Sequence, residues 1–240
     1  MIRMGTCDRN GKVLMSRNQR GDVKRRNDRE QRKQPGEGRN TELKRIPSGR
    51  AWQEQIEPKQ KRATPGKEGC VILIGMPASG KSTAGVILAK VLGMDFLDTD
   101  LLIQRRTGKK LPDLIKEYGV DGFLRIEEQV CCQVLAGQAV IATGGSAVYG
   151  ERAMEHLRRI GTIVYLDVPY PELQRRLKDV NGRGVVMRPG QTLEELYRER
   201  IPLYEKYADI IVRETGSGVE SIVIEIAEKW QRFRKGADQK

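Results

Sequence analysis

Residues 75–82 read Gly75-Met76-Pro77-Ala78-Ser79-Gly80-Lys81-Ser82, a glycine at each end of a short loop followed by a lysine and a hydroxyl. This is the pattern G-x-x-x-x-G-K-[ST], and each part has a physical task. The glycines let successive backbone N–H groups curl around phosphate oxygens, and a helix opening at Lys81 adds its positive N-terminal end. Lys81 has the reach and charge to meet β- and γ-phosphates, and the Ser82 hydroxyl suits magnesium. Gly75, Ala78, Ser79, Gly80, Lys81, Ser82 and Thr83 are therefore the candidate nucleotide-binding residues. A plain glycine-rich turn is the competing reading. The apolar run just before the loop, Cys70-Val71-Ile72-Leu73-Ile74, and the helical pattern just after it supply the strand–loop–helix setting that the motif requires.

A second group of reactive residues is Asp98-Thr99-Asp100. Carboxylates at the carboxyl edge of a parallel sheet lie beside a phosphate loop, where ligands bind. One could orient magnesium-bound water and the other accept the proton of an attacking hydroxyl. Alone, such a triplet is more often a helix N-cap. Gly144-Gly145 ends another strand on that edge and permits close backbone approach to a ligand, with an ordinary strand-to-helix turn as the alternative. Arg183, Arg188 and Arg200 flank or follow the glycine- and proline-rich run 181–190. Arginines on a glycine-hinged segment suit a lid that closes over transferring phosphoryl charge, against a merely solvated loop.

These residues need a scaffold, and from Cys70 onward the pattern alternates strand and helix. Apolar runs predict strands beginning at Cys70 and Asp95, and over 139–142, 162–168 and 209–212. Helices are expected at 81–92, 99–106, 111–118, 121–136, 150–159, 170–178, 192–207 and 218–234. The last places Val219, Ile222, Val223, Ile226 and Trp230 on one face. The fold class is α/β, with a five-stranded parallel sheet covered by helices on both faces and a mobile lid at about 179–191. The domain boundaries that follow are an N-terminal extension, 1–68, and a catalytic domain, 69–240.

Composition narrows the remaining classes. The chain has 240 residues with a formal net charge of +12. The first 68 hold 19 basic and 9 acidic residues, so nearly all of the excess belongs to the extension. That segment has Trp52 as its lone aromatic and no apolar period, and it reads as disordered. Its acidic residues speak against a transit peptide, and the absence of interleaved aromatics against nucleic-acid binding. No apolar run approaches the ~18 residues of a membrane span, and no secretory signal opens the chain. Cys7, Cys70, Cys131 and Cys132 match neither a disulfide framework nor a zinc spacing, so a reducing cytoplasm is the expected location. The lone histidine, His156, excludes a multi-histidine metal site and is expected on a solvated helix face. The phosphate loop calls for phosphate and magnesium, and a monomer is the expected state.

Taken in order and spacing, residues 71–213 resemble shikimate kinase. The markers are the phosphate loop, Asp98-Thr99-Asp100, Phe123 with Glu127, Gly144-Gly145, Arg188-Pro189, and Arg200-Ile201-Pro202-Leu203-Tyr204. The resemblance implies a phosphate-loop kinase of nucleoside-monophosphate-kinase type. It implies phosphoryl transfer from ATP to a hydroxyl of a small carboxylated ring, most simply shikimate to shikimate 3-phosphate. Carried over, Lys81 and Ser82 hold phosphate and magnesium, and Asp98 supports the metal. Asp100 contacts the accepting hydroxyl, Arg188 is the lid arginine, Arg183 meets the nucleotide, and Arg200 grips the acceptor carboxylate. Two positions depart from the family. Its Phe-Arg-x-x-Glu run is here Phe123-Leu124-Arg125-Ile126-Glu127, which puts Leu124 in the place of an acceptor-binding arginine and turns Arg125 about 100° away. Its triple glycine is here Gly144-Gly145-Ser146. Leu124, Glu127, Gly144, Gly145 and Ser146 thus join Asp100 and Arg200 as the expected acceptor-side residues. A kinase for another small hydroxy acid and a non-catalytic nucleotide-binding module are the alternatives.

Overall fold

The computed structural model describes residues 69–178, 185–214, 216 and 218–237. The N-terminal extension, Arg183 and the first part of the expected lid, 179–184, lie outside the described residues.

Five strands are present: β1 (Cys70–Ile74), β2 (Asp95–Asp98), β3 (Ala139–Ala142), β4 (Gly161–Asp167) and β5 (Ile210–Arg213). All pair in parallel, in the order β2-β3-β1-β4-β5. β1 occupies the centre, and its five residues are all buried, as a strand covered on both faces demands. The helices are α1 (Lys81–Leu92), α2 (Thr99–Thr107), α3 (Leu111–Cys132), α4 (Glu151–Ile160), α5 (Tyr170–Lys178), α6 (Leu193–Tyr207) and α7 (Val219–Ala237), with a 3₁₀ turn at Ala147–Tyr149.

Successive side chains of a strand point to opposite faces, and the core divides accordingly. Ile72, Ile74, Ile141, Ile163 and Tyr165 pack with Met154 and Leu157 of α4 and Leu196 and Tyr204 of α6. Val71, Leu73, Val140 and Val164 pack with Leu88 of α1 and Val223, Ile226 and Trp230 of α7. The stripe read from the sequence of α7 is the one that is buried. A third, smaller cluster of Ile103, Leu114, Phe123, Ile126, Val130 and Val186 lies apart from the sheet and ties α2 to α3.

The expected helices 111–118 and 121–136 form one run that is broken at Gly119, whose backbone (φ 69°, ψ 177°) is not helical. A φ of that sign suits glycine, which has no Cβ to clash. The second part ends at Cys132, short of the expected 136. Cys131 is buried and Cys132 half-buried. His156 differs from expectation. It is half-buried, and its Nε2 lies 2.8 Å from the Val134 carbonyl oxygen, so it joins α4 to the end of the α3 segment. Among the described residues, no helix is long and apolar enough to cross a membrane.

Candidate functional site

Because the strands are parallel, the loops after β1, β2 and β3 emerge at one edge, and there they line a cavity of about 480 Å³. One half of it is built from backbone. Gly75 and Gly80 have φ of 145° and 88°, and Ala78, alone among described non-glycine residues, is left-handed at φ 63°. Ser79 N–H donates to the Met76 carbonyl at 3.1 Å and closes the loop. α1 then begins with Gly80 as its N-cap and no side-chain cap, so the first N–H groups of the helix remain for an anion.

Lys81 is 7% exposed, and its ammonium donates to the carbonyls of Gly75 (2.9 Å) and Met76 (2.8 Å) and to Ser79 Oγ (3.3 Å). Burial lowers its pKa to about 8, with Asp100 opposing the fall. The loop thus holds the ammonium through oxygen atoms that phosphate oxygens can replace. Asp98 divides its two oxygens between neighbours. Its Oδ1 caps α2, accepting from Asp100 N–H (2.9 Å) and Leu101 N–H (3.2 Å). Its Oδ2 accepts from Ser82 Oγ at 2.6 Å. A hydroxyl and a carboxylate this close, on a solvent-reachable rim, are a hard oxygen donor set that fits magnesium with waters completing its shell.

The other half is built from side chains on separate elements. Asp100 comes from the start of α2, Glu127 from α3, Ser146 from the loop after β3, and Arg200 from α6. Gly144 makes their convergence possible. A Cβ there would stand 2.0 Å from Glu127 Oε1 and 2.8 Å from Asp100 Oδ1. A Cβ on Gly145 would stand 2.8 Å from Pro77 Cδ of the phosphate loop. The close approach expected of these glycines is thus already used by the protein's own groups. Gly144 N–H donates to Thr99 Oγ1 at 3.0 Å, which fixes the loop against α2.

Glu127 is 1% exposed. Burial raises its pKa to about 7, against the opposing effect of the hydrogen bond from Ser146. Ser146 Oγ donates to Glu127 Oε2 at 2.6 Å, whereas Oε1 has no hydrogen-bond partner among the described residues. Ser146, expected to add a side chain beside the acceptor, spends its hydroxyl on Glu127. Arg200 is likewise 1% exposed. Its Nη2 donates to the Val186 carbonyl (2.6 Å) and its Nε to the Tyr149 hydroxyl (3.3 Å), and the guanidinium lies 5.2 Å over the Tyr149 ring. Nη1 has no partner among the described residues, and neither does the guanidinium have a carboxylate within ion-pair distance.

Ala78, Gly80, Lys81, Ser82, Thr83, Asp98, Asp100, Glu127, Gly144, Gly145, Ser146 and Arg200 all line the cavity. Gly75 and Ser79 stand behind it, as partners of Lys81. Leu124 does not line it. It packs on the small apolar cluster with Leu102 and Tyr118, because the helical period that turns Phe123 and Glu127 inward turns position 124 aside. Arg125 is exposed and off the cavity too. Arg188 is exposed on the segment after 184, with its N–H donating to Gln191 Oε1 at 3.1 Å, outside the cavity wall.

Sequence reasoning missed Tyr149, which orients Arg200, and named Tyr204 only as a marker, although its hydroxyl donates to the Gly145 carbonyl at 2.6 Å. It missed Lys110 and Gln104 on the wall. It also missed Arg176 of α5, which pairs with Glu172 and Glu214 and reaches the Ala78 carbonyl at 3.4 Å. The only signal for Tyr149 was an aromatic after a glycine-rich turn; the rest act through tertiary contact.

Comparison with known proteins identifies a family. A family model of shikimate kinase matches residues 77–231. The shikimate kinase of Nitrosococcus oceani is 33% identical over 174 residues, which is 71% of this chain and 91% of that protein. That of Clostridium botulinum is 35% identical over 165 residues, 67% of this chain and 97% of that one. Among solved structures, the shikimate kinase of Acinetobacter baumannii in complex with shikimate is 32% identical with a TM-score of 0.59, covering 72% of this chain and 96% of its own. The enzyme of Aquifex aeolicus gives 33% and 0.56, covering 66% and 94%.

Proposed function

The chain belongs to the shikimate kinase family, and from that premise we propose that the cavity binds ATP on its backbone-built half and shikimate on its side-chain-built half. It transfers the γ-phosphoryl group of ATP to a ring hydroxyl of shikimate, giving ADP and shikimate 3-phosphate. The observation that carries the acceptor half is Arg200. A guanidinium buried to 1%, with one nitrogen unpartnered and no carboxylate paired to it among the described residues, is costly unless a ligand brings the missing anion.

In this reading the phosphates settle on the N–H groups at the start of α1, and Lys81 exchanges its carbonyl partners for phosphate oxygens. Asp100 accepts the proton of the attacking hydroxyl, and Arg200 takes the carboxylate. Arg188 and Arg183 approach the transferring group from the segment that precedes α6. Ser82 and Asp98 are the residues that would hold magnesium, which supplies neutralisation of phosphate charge. In this reading residues 69–240 constitute the kinase domain. A cytoplasmic monomer is the state proposed.

The test is the initial rate of ADP release with shikimate, its methyl ester and a panel of other small hydroxy acids. Shikimate is expected to be the preferred acceptor, with the uncharged ester reduced by two orders of magnitude or so, the worth of a charge-assisted contact. Preference for the ester or for an acceptor without an acid group would sink the reading.

A further inference from the structure

Lys110 stands at the N-cap of α3 and lines the same cavity as Arg200. This is an adverse place for lysine. An N-cap favours Ser, Thr, Asp or Asn, and none of its side-chain bonds is made here. A cation there also faces the positive end of the helix. Its neighbour Lys109 is committed, to an ion pair with Glu117 and to the face of Tyr118. Lys110 makes no side-chain hydrogen bond or ion pair among the described residues.

Charge in the cavity supplies the compensating gain. On the acceptor half Arg200 shares the wall with two carboxyl groups, Asp100 and Glu127, so its charge is partly answered before an acid arrives. Lys81 is committed to the phosphate loop. Leu124 packs on the apolar cluster and Arg125 lies off the wall, so neither can help. Among the described lining residues, Lys110 is the one further cation. Local rules of sequence tend to be broken at functional positions, and a lysine in place of a cap is such a break.

We propose that Lys110 is a specificity-determining residue of the acceptor site, where its ammonium supplies the second positive charge to the acceptor's carboxylate beside Arg200. The inference rests on the acceptor reading above. It also explains why the helix begins without a cap: the position is given to the ligand.

Stability and binding should then move in opposite directions. Lys110→Ser restores a cap and removes the charge. It is expected to raise Tm by about 2–4 °C while weakening shikimate about tenfold in KM and in calorimetric Kd, with the KM for ATP unchanged. Lys110→Arg should keep the parent affinity. With shikimate methyl ester, the parent and Lys110→Ser should differ by less than twofold, because the charge that Lys110 meets is gone. An unchanged shikimate KM in Lys110→Ser, an equal penalty on the ester, or a shift in the ATP KM instead would each overturn the inference while leaving the acceptor reading intact. A parent that neither binds nor turns over shikimate would overturn both.

Discussion

The two halves of the cavity are built on opposite principles. The half proposed for the nucleotide is one contiguous stretch, 75–83, made of backbone groups and a helix end. The acceptor half gathers Asp100, Glu127, Ser146 and Arg200 from four separate elements and relies on charged side chains that the fold buries. The first is ready for its ligand, with Lys81 held by loop oxygens and the first N–H groups of α1 left open. The second carries two polar atoms without a partner among the described residues, Glu127 Oε1 and Arg200 Nη1, and a glutamate held near pKa 7. A site made of backbone costs little to keep empty. A site made of buried charge is held at the expense of stability, and the ligand relieves it.

The sharpest way to break this comparison is Asp100→Asn. Turnover should fall by about 10²–10⁴, the span for loss of a positioned base, with ATP affinity unchanged in equilibrium titration. An equal loss of ATP affinity would erase the division between the halves. Next in size is Arg200→Met, which should raise the shikimate KM about a hundredfold and leave the ATP KM within twofold in steady-state kinetics.

The third prediction reads the stored charge directly. Glu127 has a folded pKa of about 7 against an ordinary 4.5, so between those values the folded state binds more protons than the unfolded state. Stability of the ligand-free protein therefore falls as pH rises from 4.5 to 7, by on the order of 3 kcal/mol from this residue. The depressed Lys81, at about 8, acts only above that window. Glu127→Gln should remove the slope in denaturant titrations across pH 4.5–7, and an identical slope in parent and variant would contradict it.

A smaller effect is expected at Ser146. Ser146→Gly removes the donor at 2.6 Å from Glu127 Oε2, and the acceptor KM should rise roughly threefold to tenfold, the worth of an ordinary hydrogen bond. Smallest is Ala78→Gly. A left-handed alanine at φ 63° costs about 1 kcal/mol, so thermal denaturation should show a Tm gain of roughly 2–4 °C with the ATP KM little changed.

The same contrast decides what could be read in advance. The five parallel strands, the phosphate loop and the break near residue 119 were legible because each depends on a short run of residues: an apolar strand, glycines at fixed spacing, a glycine in a helical pattern. Asp98 was legible as a cap because a carboxylate just before a helix takes its first N–H groups. The acceptor half was legible in membership and not in contacts. That Ser146 bonds to Glu127, that Tyr149 stacks on Arg200 and that Lys110 reaches the wall all depend on how α3 and α6 pack against the loop after β3, which no local pattern encodes. Leu124 is the clearest case. The resemblance aligned it with an acceptor residue, whereas in the structure it packs on the small apolar cluster.

The most direct test of the account is ³¹P NMR of the enzyme with ATP, magnesium and shikimate. The account predicts a phosphomonoester resonance on the shikimate 3-hydroxyl that grows one-for-one with ADP. Inorganic phosphate growing in its place, with shikimate unchanged, would contradict it.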